Sequence, residues 1–128
     1  MKPMTAEWAA KAEGDFAMME HECRAAENPN YDGICFHAQQ CAEKYLKARL
    51  CEANITFGKI HDLVDLLDQV LDVEPAWEGF REDLAYLSDV AVTYRYRGES
   101  ADAESATDAQ LRCQRFRNAA RDALGLET

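Results

Sequence analysis

The chain is poor in most of what would tie it to a membrane, a disulfide scaffold or a nucleic-acid backbone. No apolar run exceeds four residues, the length of Phe16–Met19, whereas a membrane-spanning helix needs about 20. The opening residues Met1, Lys2, Pro3, Met4 and Thr5 lack the apolar stretch of a signal peptide. Five cysteines, Cys23, Cys35, Cys41, Cys51 and Cys113, form an odd set without a CxxC pair. They are not a disulfide framework, and we expect reduced thiols in a cytoplasmic protein. The six glycines are dispersed, so no glycine-rich loop is available to cradle a phosphate. Only eight residues are Val or Ile, and no serine is flanked by glycines as in a nucleophile elbow. Basic side chains are outnumbered 14 to 24, for a net charge of −10. That excludes a general DNA binder, which needs surplus Lys and Arg for phosphates. It also excludes electrostatic attachment to an anionic membrane.

What the chain has in quantity is alanine and leucine, 21 and 11 residues. Alanine loses no side-chain entropy in a helix, and the apolar spacing agrees with that bias. Trp8, Ala12, Phe16, Met19, Cys23 and Ala26 recur at three and four, predicting a helix from about Thr5 to Ala26. Asn28-Pro29-Asn30 breaks it. Ile34, Ala38, Cys41, Tyr45 and Ala48 predict a second helix over about 31–53, its stripe widened by Cys35, Ala42 and Leu46. Leu63, Leu66, Leu67, Val70 and Leu71 mark a short helix. Pro75 suits the first turn of the next, which carries Trp77, Phe80, Leu84, Leu87, Ala91 and Tyr94 and ends near Gly98. Thr107 with Gln110 resembles a capping box opening the last helix, which buries Cys113, Phe116, Ala120 and Leu124 and ends at Gly125. With no repeat or linker, the expectation is one all-α domain over residues 1–128. Its architecture is an antiparallel up-and-down bundle of four main helices plus one short helix.

Several groups carry chemistry in other proteins. Cys35, His37 and Cys41 lie within seven residues, but Cys41 falls on the core stripe and His37 off it. They do not form a ligand face, and no metal or cofactor is expected. Asp15 sits at the edge of the first apolar stripe, where it either reaches solvent or needs an ionic partner. From Ala109 to Arg121 there are four arginines (Arg112, Arg115, Arg117, Arg121) and no acid, and Arg95 and Arg97 bracket Tyr96. Neighbouring helices would let these six arginines share one end or face. Arginine's planar fork suits phosphate and tyrosine stacks on a base, so Arg95, Tyr96 and Arg97 are the candidate phosphate or nucleotide contacts. Cations near a helix C-terminus also offset its dipole. Phe36, Gln40, Glu43 and Lys47 line another face of the second helix, either solvated with an i,i+4 ion pair or a candidate subunit interface. Gln39 lies on the core-side stripe, as a half-buried amide.

The segment from Ile34 to Ala48, with Gln39-Gln40-Cys41-Ala42-Glu43-Lys44-Tyr45-Leu46 at its centre, resembles the second-helix signature of HEPN domains (higher eukaryotes and prokaryotes nucleotide-binding). Trp8 with Ala12 and Asp15 resembles the family's opening helix. Lys59-Ile60-His61-Asp62-Leu63 resembles its "HDL" entry to the short helix, and Tyr94-Arg95-Tyr96 with Gly98-Glu99 its "RY" segment. The resemblance covers about residues 5–123. It implies a helical bundle, usually dimeric, often beside a small nucleotidyltransferase in a toxin–antitoxin pair. Catalytic members are metal-independent ribonucleases in which an arginine is followed, after four to six residues, by histidine. Here the corresponding positions hold Ser100, Ala101 and Asp102 after Arg95, and Asp102, Ala103 and Glu104 after Arg97; the last histidine is His61. The usual acid–base partner is therefore missing. The expectation is a non-catalytic homodimer that binds a nucleotide, an RNA phosphate or a nucleotidyltransferase partner. Two alternatives stand beside it: a ribonuclease with a rearranged site using Arg95 and His61, and a purely structural interaction module.

Overall fold

The computed structural model describes residues 1–96 and 98–128, and every side chain among them except those of 95 and 96. Five α-helices follow one another: α1 (Pro3–Cys23), α2 (Tyr31–Glu52), α3 (Leu63–Val70), α4 (Arg81–Tyr96) and α5 (Ala103–Ala123), with a 3₁₀ helix over Pro75–Phe80 before α4. There is no strand among the described residues, and no helix is long and apolar enough to cross a membrane.

Most starts are written in short polar side chains. Asn30 accepts from Gly33 N at 2.9 Å to cap α2, and Asp62 accepts from Val64 N and Asp65 N to cap α3. Each satisfies amide donors that the first turn leaves without intrahelical partners. Two ends use left-handed backbone. Asn54 (φ 61°) and Gly125 (φ 74°) let Ile55 N reach Leu50 O and Leu126 N reach Arg121 O, closing α2 and α5 as Schellman-type stops.

Three expected boundaries shift. The first helix stops at Cys23 rather than Ala26, in a connection where Asn28 turns left-handed (φ 46°) ahead of Pro29. The helix expected from Pro75 begins as a 3₁₀ segment. Its i,i+3 eclipsing fits the packing of Trp77 and Phe80, which both meet Phe116 edge-on at 5.0 and 5.4 Å. The last helix opens at Ala103, capped by Asp102 on Ser105 N at 2.8 Å. The Thr107–Gln110 pair is therefore inside α5, not at its start.

Helix α2 is the centre of the bundle, packing against α1, α3, α4 and α5. Side-chain pairs give the directions. Lys2 meets Glu52 while Asp15 meets His37, so α1 is antiparallel to α2. Tyr94 meets Ser105 while Asp83 meets Arg112, so α4 and α5 are antiparallel. Asp32 meets Ala101 while Tyr45 meets Arg121, so α5 runs parallel to α2. This is the expected up-and-down bundle. Tyr45, Leu46 and Leu50 of α2, Leu66 and Leu67 of α3, Leu84 and Leu87 of α4, and Phe116 of α5 are buried in one core.

Candidate functional site

The antiparallel run of α2 against α4 leaves a cleft of about 870 Å³. Phe36 and Gln40 of α2 form one wall, Ala91 and Val92 of α4 the other, and His61 with Asp62 closes one end from the entry to α3. Val92 stands 55% exposed on the rim. Glu43, one helical turn beyond Gln40, also faces this space.

Behind the cleft lies a polar network that a solvated helix face would not contain. Glu43 and Lys47 are 5% and 4% exposed and join at 3.0 Å. Gln39 donates to the second Glu43 oxygen at 3.1 Å and receives Gln40 Nε2 at 2.7 Å. Lys47 Nζ also lies 5.4 Å over the Trp8 ring and 5.6 Å over Phe57, so aromatic faces help hold its charge out of water. The i,i+4 pair read from the sequence is real, but the solvated face is not. Burial requires both charges to be paired, and the neighbouring amides complete the set. Of the four interface candidates, Phe36, Gln40 and Glu43 reach the cleft, while Lys47 turns behind it toward α1.

His61 brings its Nδ1 to 3.1 Å from Glu43 Oε2, yet its side chain is 71% exposed. A ring fixed at Nδ1 by a carboxylate leaves Nε2 as the atom open to other partners. Its neighbour Asp62 sits at the cap of α3, one place before the first turn.

The second acid–histidine contact was only half legible. Asp15 does not reach solvent; it is 8% exposed, bonded to His37 Nδ1 at 2.8 Å and to Lys44 Nζ. His37 is thus engaged by α1, and Cys35 and Cys41 are buried in the core. Burial, with Asp32 and Asp102 nearby, pushes the Cys35 thiol up to about 11, and burial beside Cys113 raises Cys41 as well. A thiol so poorly ionised is neither nucleophile nor ready ligand. Among the described residues no group of three or more His, Cys, Asp or Glu is arranged to hold a metal ion.

The arginines of α5 do not form a free cationic face. Arg112 and Arg115 both bind Asp83, at 3.0 and 2.9 Å. Arg117 grips Glu13 with two nitrogens, at 2.7 and 2.9 Å, in the bidentate geometry arginine favours. Arg121 reaches Tyr45 Oη at 2.9 Å, and Tyr45 also bonds Glu13. Burial alone would raise Glu13, but hydrogen bonds from Arg117 and Tyr45 and the two guanidinium charges hold it below the usual glutamate range. The acids that neutralise α5 come from α1 and α4, which a count along α5 does not see. Arg97 and the side chains of Arg95 and Tyr96, the phosphate contacts expected from the sequence, lie outside the described residues.

The chain matches the family model described as "HEPN domain" over residues 5–123, and it matches no curated protein and no solved structure. The match spans α1 through the last turn of α5, the same stretch that carries the second-helix signature and the HDL entry at His61-Asp62-Leu63. With that coverage and an all-helical bundle, the chain belongs to the HEPN domain family.

Proposed function

We propose that this is a non-catalytic HEPN protein that works by binding. It pairs with a second copy of itself and with a small nucleotidyltransferase, as one half of a toxin–antitoxin-like pair in the cytoplasm. The α2–α4 cleft, presenting Phe36, Gln40 and Glu43, is the contact surface. The observation that carries this reading is an open cleft of about 870 Å³ on a chain whose α5 arginines are already bound to its own carboxylates. Lys47 supports the cleft wall from behind through Glu43.

Nucleotide binding is the narrower part of the proposal. With the α5 arginines engaged, a phosphate depends on Arg95 and Arg97, and a base stacks on Tyr96. Calorimetric titration with ATP tests this: binding lost in Arg95→Ala supports it, and no saturable heat removes it. Co-purification with the product of an adjacent nucleotidyltransferase gene tests the partner half, and separate elution of the two proteins counts against it.

One observation favours a second reading, a ribonuclease with a rearranged site. His61 stands at the cleft with Nδ1 against the buried Glu43 carboxylate, the orientation used for general bases. That reading requires RNA cleavage by the purified chain, lost in both His61→Ala and Arg95→Ala. The binding account predicts intact RNA. The third reading, a purely structural module, requires partner binding with no response to nucleotide.

A further inference from the structure

Among the described residues, the charge balance of the cleft is opposite to what a phosphate needs. Glu43 is neutralised by Lys47 from behind. Asp62 spends one carboxylate oxygen on the amides of Val64 and Asp65, and its other oxygen has no partner among the described residues. Asp89 is exposed, borders the same cleft and has no hydrogen bond or ion pair among the described residues. Among the described lining residues, His61 is the only group that can become cationic. Among the described residues two carboxylates thus remain unneutralised at the cleft, on a chain of net charge −10. Between them and the opposite wall, Phe36, Ala91 and Val92 supply apolar surface, with Val92 more than half exposed.

We propose that this cleft receives a basic side chain, arginine or lysine, borne next to an aliphatic one on a partner protein. The cation lies between Asp62 and Asp89, and the aliphatic group covers Val92 and Ala91. Charge complementarity sets the choice of occupant: like charges repel a phosphate here, while a guanidinium gains charge-assisted hydrogen bonds. The apolar wall favours a protein segment over a free polyamine, because only the segment also buries Val92. The volume is ample for two or three side chains. This rests on the partner-binding reading and names the chemistry the partner must bring.

The test uses the full chain, ¹⁵N-labelled, and two capped peptides, Ala-Leu-Arg-Leu-Ala and the same peptide with citrulline in place of arginine. Citrulline keeps the shape and loses the charge. The expected result is saturable amide shifts at Gln40, Ala91 and Val92 with the arginine peptide. Affinity should fall at least tenfold with citrulline, and by a similar factor in the Asp62→Asn/Asp89→Asn variant. Asparagine caps a helix as well as aspartate does, so this variant should keep the fold, and an unchanged far-UV spectrum checks that it does. Equal binding by both peptides, shifts elsewhere, or no saturable shift would overturn the proposal. Displacement of the peptide from these same amides by a single-stranded RNA oligonucleotide or ATP would also overturn it and make the cleft a nucleotide site. The two readings fail separately. If the double variant still co-purifies undiminished with the nucleotidyltransferase, this inference falls and the partner reading stands. If the arginine peptide binds as expected but the wild type captures no nucleotidyltransferase, the inference stands and the partner reading falls.

Discussion

Glu43 is the residue on which cleft and core meet. It holds Lys47, Gln39 and His61 at once, and only His61 is well exposed. Removing the cation alone, in Lys47→Met, leaves a buried carboxylate short of its main counter-charge. We expect a loss of about 3 kcal/mol in urea unfolding, in the range for a broken buried pair. Removing both charges, in Glu43→Leu/Lys47→Met, should recover most of that loss, because no charge is then left to desolvate. A double variant no better than the single one would mean that packing, not charge, explains the cost. Glu13 makes a pH prediction. Its carboxyl lies below the ordinary value when folded, so the stability it adds is present above the unfolded glutamate pKa of about 4.3. That contribution is lost as pH falls from there through the lowered folded value. Urea midpoints from pH 7 down to pH 3 should fall less steeply in Glu13→Gln than in the wild type. Identical slopes would show that the Arg117–Glu13 contact contributes nothing.

Among the elements, α2 carries the fold, and its start rests on one side chain. Asn30→Ala removes the acceptor for Gly33 N and should cost about 1 kcal/mol, seen as a melting point lower by about 4 °C. An unchanged melting point would mean that the cap is not formed in solution. How much of this was legible depended on range along the chain. The helices, their order and most of their buried faces follow from alanine content and three-and-four spacing, which are local. Gln39 was readable as a core-side amide because its stripe also holds Cys35, Ala42 and Leu46, but it is buried rather than half-buried. The start of α5 was not, because Asp102 caps it from within a polar stretch that also offered Thr107 as a start. The 3₁₀ segment was not either, since it fits two rings packed on Phe116, a residue 36 positions beyond Phe80. At the candidate site the Glu43–Lys47 pair was legible as an i,i+4 spacing. Its burial depends on Trp8 and Phe57, brought from α1 and the connection before α3, and no local pattern announces that. Nor does the run of arginines on α5 announce Asp83 and Glu13.

At the scale of the whole molecule, the negative balance of the sequence is not spread evenly in its effects. Acids of α1 and α4 bind the α5 arginines and close the back of the bundle, whereas Asp62 and Asp89 stay unneutralised among the described residues at the α2–α4 cleft. Binding is assigned to this α2–α4 face. The most direct measurement is light scattering after size exclusion on the chain co-expressed with the proposed small nucleotidyltransferase partner, compared with the Val92→Glu variant. Val92 is exposed, so the variant should keep the wild-type helical signal in circular dichroism. The account predicts a complex of both proteins for the wild type and its loss in Val92→Glu. Two proteins that elute separately, or a complex that Val92→Glu leaves intact, would contradict it.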